Sequence, residues 1–145
     1  GGEFSYYTDY DQEHALDANG PNGVSLAEAA RECCISFVIG DGQSEYVTAD
    51  ALATAGRQLG YAFAIERAVI LDDRVTITVR NSGCAVIPYN LYAAFGTVQS
   101  AQSLKGLLPD ETRDLTITIT DPDLADFHIT SPVLLPGQVV AYAVE

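Results

Sequence analysis

The stretch "RVTITVRNSGCAVIPY", Arg74 to Tyr89, decides the fold. Val75, Ile77 and Val79 fall on one face and Thr76 and Thr78 on the other, the period of a half-buried strand. The chain then leaves through Asn81-Ser82-Gly83, residues tolerant of positive φ. It runs on through small apolar residues to Pro88, which cannot donate to a central ladder and is expected beside a sheet edge. "DLTITIT", Asp114 to Thr120, repeats the alternation with Leu115, Ile117 and Ile119 inward and Thr116 and Thr118 outward. "AFAIERAVIL", "YNLYAAFGTV", "DFHIT" and "VVAYAVE" supply further strands. Asp72-Asp73, Asp121-Pro122-Asp123 and Pro136-Gly137 carry turn chemistry between them. The spacing predicts an antiparallel β-sandwich over residues 61–145.

Residues 1–60 follow a helical period instead. "SLAEAARECCISF", Ser25 to Phe37, places Leu26, Ala29, Ala30, Cys33, Cys34 and Phe37 on one face, and Ser25 with Glu28 makes a capping box. "ISFVIG" reads as a short buried strand halted at Gly40-Asp41-Gly42. A second helix is expected from Thr48, carrying Leu52, Ala55 and Leu59 inward and stopping at Gly60. The expected organisation is an N-terminal strand and helix portion, residues 1–60, packed on the sandwich.

Composition narrows the function. At 145 residues and 48% hydrophobic the chain can bury one sizeable core. Twenty acidic residues against 7 basic ones give a net charge of −13, which repels phosphate backbones and argues against nucleic acid. An acidic surface with a single lysine, Lys105, fits an extracellular, calcium-rich or saline setting. No apolar run approaches the roughly 18 residues a spanning helix needs, and no charged-then-apolar leader is visible. Methionine is absent, so the sequence is expected to be a processed product or a fragment. Cys33, Cys34 and Cys84 are read as small buried apolar side chains, with a bridge from Cys84 to one of the pair as the alternative. Two histidines, His14 and His128, stand far apart in sequence and give no zinc-ligand spacing.

The segment Leu59 to Phe95, "LGYAFAIERAVILDDRVTITVRNSGCAVIPYNLYAAF", resembles the C-terminal β-sandwich region of a bacterial family of unknown function associated with glycosidase-like barrels. "GGEFSYY" and "ISFVIGDGQ" are similar to the same family. "TVRNSGCAVIP", Thr78 to Pro88, is equally similar to bacterial immunoglobulin-like adhesion modules, which implies that the antiparallel β-sandwich is immunoglobulin-like. The first resemblance implies a secreted, carbohydrate-associated protein that lacks most of the barrel, with Glu3 as a carried-over carboxylate that contacts substrate. A barrel site is assembled from several strand ends, so one strand implies no catalysis.

The acidic and aromatic segment "EFSYYTDYDQEH" is the leading binding candidate. Tyrosines offer flat faces to sugar rings, and carboxylates accept hydrogen bonds from hydroxyls. Glu3, Tyr6, Tyr7, Asp9, Tyr10 and Asp11 are the expected carbohydrate-binding residues, with packing of these tyrosines at a strand edge as the structural alternative. "TDPDLAD" groups Asp121, Asp123 and Asp126 as a candidate calcium loop. "DANGPNGVSLAE" sets Asp17, Asn19, Ser25 and Glu28 at calcium-loop spacing, although Glu28 cannot cap Ser25 and bind calcium in one rotamer. No nucleophile with a base, and no glycine-rich phosphate loop, is present. The sequence therefore predicts a secreted, non-catalytic, carbohydrate-associated module that binds a polysaccharide or glycan. The alternative is a structural subunit of an extracellular filament or particle in which copies of the chain join by strand addition.

Overall fold

The computed structural model describes residues 1–3, 8–40 and 43–145. They group into two units, residues 1–61 with 83–85 and residues 62–82 with 86–145.

The first unit is built from short elements that capping makes possible. They are β1 (Gly2–Glu3), α1 (Asp9–Glu13), α2 (Leu26–Glu32), β2 (Val38–Ile39), α3 (Gln43–Tyr46) and α4 (Ala49–Gly56). Thr8, Ser25 and Thr48 each stand before a helix and accept a backbone N–H from its first turn, at 3.1, 3.2 and 3.2 Å. Each bond satisfies a donor that the helix itself cannot. β1 and β2 pair in parallel, Gly2 opposite Val38 and Glu3 opposite Ile39.

Two expectations are corrected here. α2 stops at Glu32, and Cys34 adopts φ 50°, the left-handed conformation that ends a helix. The helical rotation therefore never brings Cys33, Cys34 and Phe37 round to the side of buried Ala30, and all three are exposed. The strand expected at "ISFVIG" is only Val38–Ile39, and Ile39 is 62% exposed rather than buried. Of the three cysteines, all unbridged, Cys84 alone is buried.

The second helix follows the sequence closely, with Thr48 as its cap, Ala55 buried, and Leu52 and Leu59 half-buried. Gly60 then turns the chain at φ +78°, where a Cβ would stand 3.3 Å from the Ser36 carbonyl oxygen. Its own carbonyl accepts the N–H groups of Cys84 and Ala85 at 2.8 and 2.9 Å, which holds residues 83–85 in this unit. Among the described residues, the buried apolar ones of the unit are all small: Ala15, Ala30, Ala55, Cys84 and Ala85.

The second unit is β-rich. β3 (Phe63–Leu71) and β4 (Arg74–Asn81) form a hairpin across Asp72-Asp73, and Asp72 takes φ 54° as a tight two-residue turn demands. They are followed by β5 (Tyr92–Phe95), β6 (Val98–Gln99), β7 (Thr112–Thr118), β8 (Phe127–Thr130) and β9 (Ala143–Val144). One sheet runs β7-β4-β3-β9, antiparallel except for the β3-β9 pair, and a second runs β6-β5-β8. β5 and β6 also neighbour β7, so the sheets meet along that strand. The alternation read from sequence holds: Val75, Ile77, Val79, Leu115 and Ile117 are buried, while Thr76, Thr78, Thr116 and Thr118 are half-buried or exposed. Ile119 lies one residue past the end of β7 and is only half-buried, a correction to its inward assignment.

The exit after β4 also differs from expectation. Asn81, Ser82 and Gly83 do not adopt positive φ. Asn81 is instead fully buried, its Oδ1 accepting from Ala62 N at 3.4 Å and its Nδ2 donating to the Leu107 carbonyl at 3.1 Å. Its main chain bonds Glu111 O and Asp110 N at 3.0 and 2.8 Å.

Truncating Ile77 to Ala should cost about 2–5 kcal/mol in chemical denaturation, because a buried branched side chain leaves a cavity. Asn81→Ala should cost roughly 2–4 kcal/mol despite its small change in size, since it strands buried donors and acceptors. The largest fully buried side chains, Ile87, Leu104, Leu107, Leu115 and Ile117, all lie in the second unit. Native-state hydrogen exchange should accordingly show amides of α2 and α4 opening at lower free energy than those of β4 and β7.

Candidate functional site

The first unit contains a cleft of ≈ 410 Å³ whose wall is supplied by the turn after α1 and by α2 and α4. Its apolar lining is Leu16, Leu26, Ala27, Ala51 and Ala55, and its polar groups are Asp17, Ser25, Asp50, Thr54 and Gln58. Asp50 and Thr54 stand on α4 at the four-residue spacing that stacks side chains on one face of a helix, and Gln58 follows two residues past its end. Thr48 positions Asp50 and Thr54 by starting α4 where it does.

Not every polar group is available to a ligand. Ser25 Oγ donates to Glu28 Oε2 at 2.7 Å and accepts from Glu28 N at 3.2 Å, while Ser25 N donates to the same carboxylate at 3.0 Å. These bonds, the side-chain one first, hold the Glu28 carboxyl below its ordinary pKa. Thr54 Oγ1 accepts from Arg57 at 2.9 Å and Asp17 Oδ2 meets His14 Nδ1 at 2.6 Å. The Asp50 carboxylate and the Gln58 amide make no side-chain hydrogen bond with another described residue.

The cleft connects to α1 through a relay of contacts. The His14 ring that meets Asp17 stacks against Tyr10, with centroids 4.3 Å apart and planes tilted by 48°. Tyr10 is 61% exposed, so one aromatic face remains open beside this chain. Asp9 looks the other way, accepting from the Tyr46 hydroxyl at 2.9 Å. That bond, reinforced by desolvation and the charges of Asp9, Glu45 and Glu13, raises the Tyr46 pKa.

The residues expected to bind carbohydrate are thus distributed unevenly. Asp9, Tyr10 and Asp11 share the helix α1 rather than a strand edge, which corrects the extended reading of that segment. Glu3 lies exposed on β1, and Tyr6 and Tyr7 are outside the described residues. In the calcium candidate, Asp121 forms a turn at φ 53° and Asp123 caps the 3₁₀ turn Leu124–Asp126 by accepting from Ala125 N at 2.9 Å. Among the described residues no group of three or more His, Cys, Asp or Glu side chains is placed to hold a metal ion. In the "DANGPNGVSLAE" loop, Glu28 serves as the helix cap, and Asp17 pairs with His14.

The polar groups that sequence reading missed are Asp50, Thr54 and Gln58. Their helical spacing was visible, but nothing marked that face as turned toward a cleft rather than open solvent. Compared with known proteins, the chain matches no family model, no curated protein and no solved structure.

A depressed carboxyl pKa stabilises the folded state above the unfolded pKa, and that contribution is lost as pH falls through the folded value. On acidification below the ordinary carboxyl value of 4.5, α2 should lose its cap as Glu28 protonates. NMR titration should show Glu28 protonating below that ordinary value, and Ser25→Ala should move it back up. An unchanged Glu28 titration in that variant would mean that the cap does not hold the charge.

Proposed function

We propose that this protein is a secreted, non-catalytic module associated with carbohydrate. The first unit is the glycan-binding part, and the β-rich second unit is an immunoglobulin-like sandwich that serves as its support. The observation that carries this reading is the cleft with its neighbouring tyrosine. Asp50 and Gln58 offer hydrogen-bond partners for ring hydroxyls, Leu16, Leu26 and the alanines offer an apolar floor for C–H faces, and Tyr10, linked to the lining residue Asp17 through His14, offers an exposed flat ring. Sugars present that mixture of polar edge and apolar face.

A catalytic reading has less support. Hydrolysis of a glycoside requires an acid and a second carboxylate held across the scissile bond. Here Asp17 is engaged by His14, and the carried-over Glu3 lies on β1, outside the cleft lining. No metal is required by the proposed binding mode, so calcium at Asp121, Asp123 and Asp126 is not part of it. The rival structural-subunit reading needs an open sheet edge. One exists along β3, and its chemistry favours an occupant other than a second copy.

A glycan array followed by titration tests the proposal. Wild-type protein should bind a subset of glycans with the weak affinity usual for shallow sites. Tyr10→Ala and Asp50→Asn should each weaken binding by about tenfold, which corresponds to roughly 1.4 kcal/mol. Failure to bind any glycan, or binding untouched by both substitutions, would remove the cleft from consideration. Aryl glycosides should not be turned over, and turnover that Glu3→Gln abolishes would overturn the non-catalytic assignment.

A further inference from the structure

β3 changes character halfway along its length. Phe63, Ala64 and Ile65 are buried, and everything from Glu66 to Leu71 is exposed, including Val69 at 42%, Ile70 at 49% and Leu71 at 69%. A bulge at Glu66 separates the halves, since the pairing with β4 shifts register between Ile65 and Arg67. β9 covers only the first half, pairing at Ala64 and Ile65, with Glu145 N donating to Ile65 O at 3.1 Å. Arg80 secures that arrangement by holding Glu66 at 2.7 Å and Glu145 at 2.5 Å. These two carboxylates, Glu145 first, raise its pKa and keep it charged. Among the described residues, no strand lies beside the outer edge of the sheet from Arg67 to Leu71.

Main-chain direction and side chains both follow from the hairpin. Antiparallel pairs alternate between hydrogen-bonded and non-bonded, and a two-residue turn makes Leu71 and Arg74 a bonded pair. Ala68 and Ile70 then direct their N–H and C=O groups to the open edge. Their side chains project on the Val75 and Ile77 face. On the other face Arg67, Val69 and Leu71 join Arg74, Thr76 and Thr116 around a groove of ≈ 370 Å³. Arg67 and Arg74 make no ion pair or side-chain hydrogen bond with another described residue. Natural edges are usually protected by charge, a proline or a covering element; here Arg67 puts a charge at one end of the segment, and Ala68 to Leu71 carry none of these.

We infer that the free half of β3 adds one strand from a partner, an extended acidic peptide segment with carboxylates at its first and fifth positions and apolar side chains between. Arg67 and the Leu71–Arg74 pair lie roughly 13 Å apart along the strand at about 3.3 Å per residue, so side chains four residues apart on the incoming strand reach both cations. The residue between them on that face meets Val69, and the flanking two meet Ala68 and Ile70. The arginines are the argument for acid: the chain carries −13 overall, yet its groove presents two positive charges that no described residue matches. A second copy is disfavoured by that same net charge. Its acidic N-terminal segment is also committed elsewhere, with Gly2–Glu3 paired to β2 and Asp9–Glu13 helical.

Fluorescence anisotropy with the full chain and a labelled peptide Glu-Val-Val-Val-Glu, extended by serines at both ends, tests this. The peptide should bind, its counterpart with lysines for both glutamates should not, and Arg67→Glu with Arg74→Glu should weaken binding by about tenfold or more. Ile70→Pro removes an N–H that faces the open edge and spares the β4 ladder, so it should abolish binding while circular dichroism stays unchanged. In case these variants unfold, hydrogen exchange on the wild-type chain should show peptide-dependent protection at Ala68 and Ile70. Absence of that protection, or equal binding of the lysine peptide, overturns the inference. A peptide-free protein whose Ala68 and Ile70 amides are already protected, at the mass of two chains, overturns it in favour of self-association.

Discussion

A single buried amide ties the second unit together. Asn81 ends β4 inside the protein, where an unpartnered polar group would cost on the order of 1–3 kcal/mol, and its side chain bridges the start of β3 to the loop at Leu107. Its main chain bonds Asp110 and Glu111, just before β7. Three segments distant in sequence are thereby held in one register. With that register set, β4 can be the central strand, paired along one side to β3 and along the other to β7. Valine or leucine at this position would fill the space and leave the bridged groups without partners.

The sheet built on that anchor is asymmetric, and the asymmetry has a local cause. Arg80, one residue before Asn81, points to the other face and collects Glu66 and Glu145. The bulge at Glu66 and the end of β9 are therefore fixed by one cation. Up to Ile65 the strand β3 is a buried interior strand, and beyond it the same strand is a bare edge. A continuous β9 would have closed the edge and left Val69, Ile70 and Leu71 without a role. The clamp thus separates a covered half from a bare one.

The first unit rests on a different balance. Among the described residues its buried apolar side chains are alanines and Cys84, and small side chains remove little surface from water, at roughly 25 cal/mol per Å². Caps at Thr8, Ser25 and Thr48 and the Tyr46–Asp9 bond carry a correspondingly larger share. A lightly packed framework of short helices leaves clefts between them. The space lined by Leu26, Ala51 and Ala55 is what alanine-rich faces fail to fill.

Much of this was legible in residue order. Alternation at Val75, Ile77 and Val79 marked β4, its echo at Leu115 and Ile117 marked β7, and Ser25 with Glu28 and Thr48 marked two helix starts, because periodicity and capping depend on neighbours within a few residues. That Cys33, Cys34 and Phe37 lie exposed was hidden, since Cys34 in a left-handed conformation has no signal in its side chain. Tyr10 was visible as a candidate, but the cleft that Asp17, Asp50 and Gln58 line was not. The β3 segment "IERAVIL" looked like any other strand. Sequence alone determined β4 and β7 with their apolar faces and the capped starts of α2 and α4, since those follow from local spacing, whereas it did not mark α1 or α3 as helices. Only the tertiary structure decided which apolar faces are covered, because covering Ile65 and leaving Ile70 bare depends on where β9, far along the chain, happens to stop.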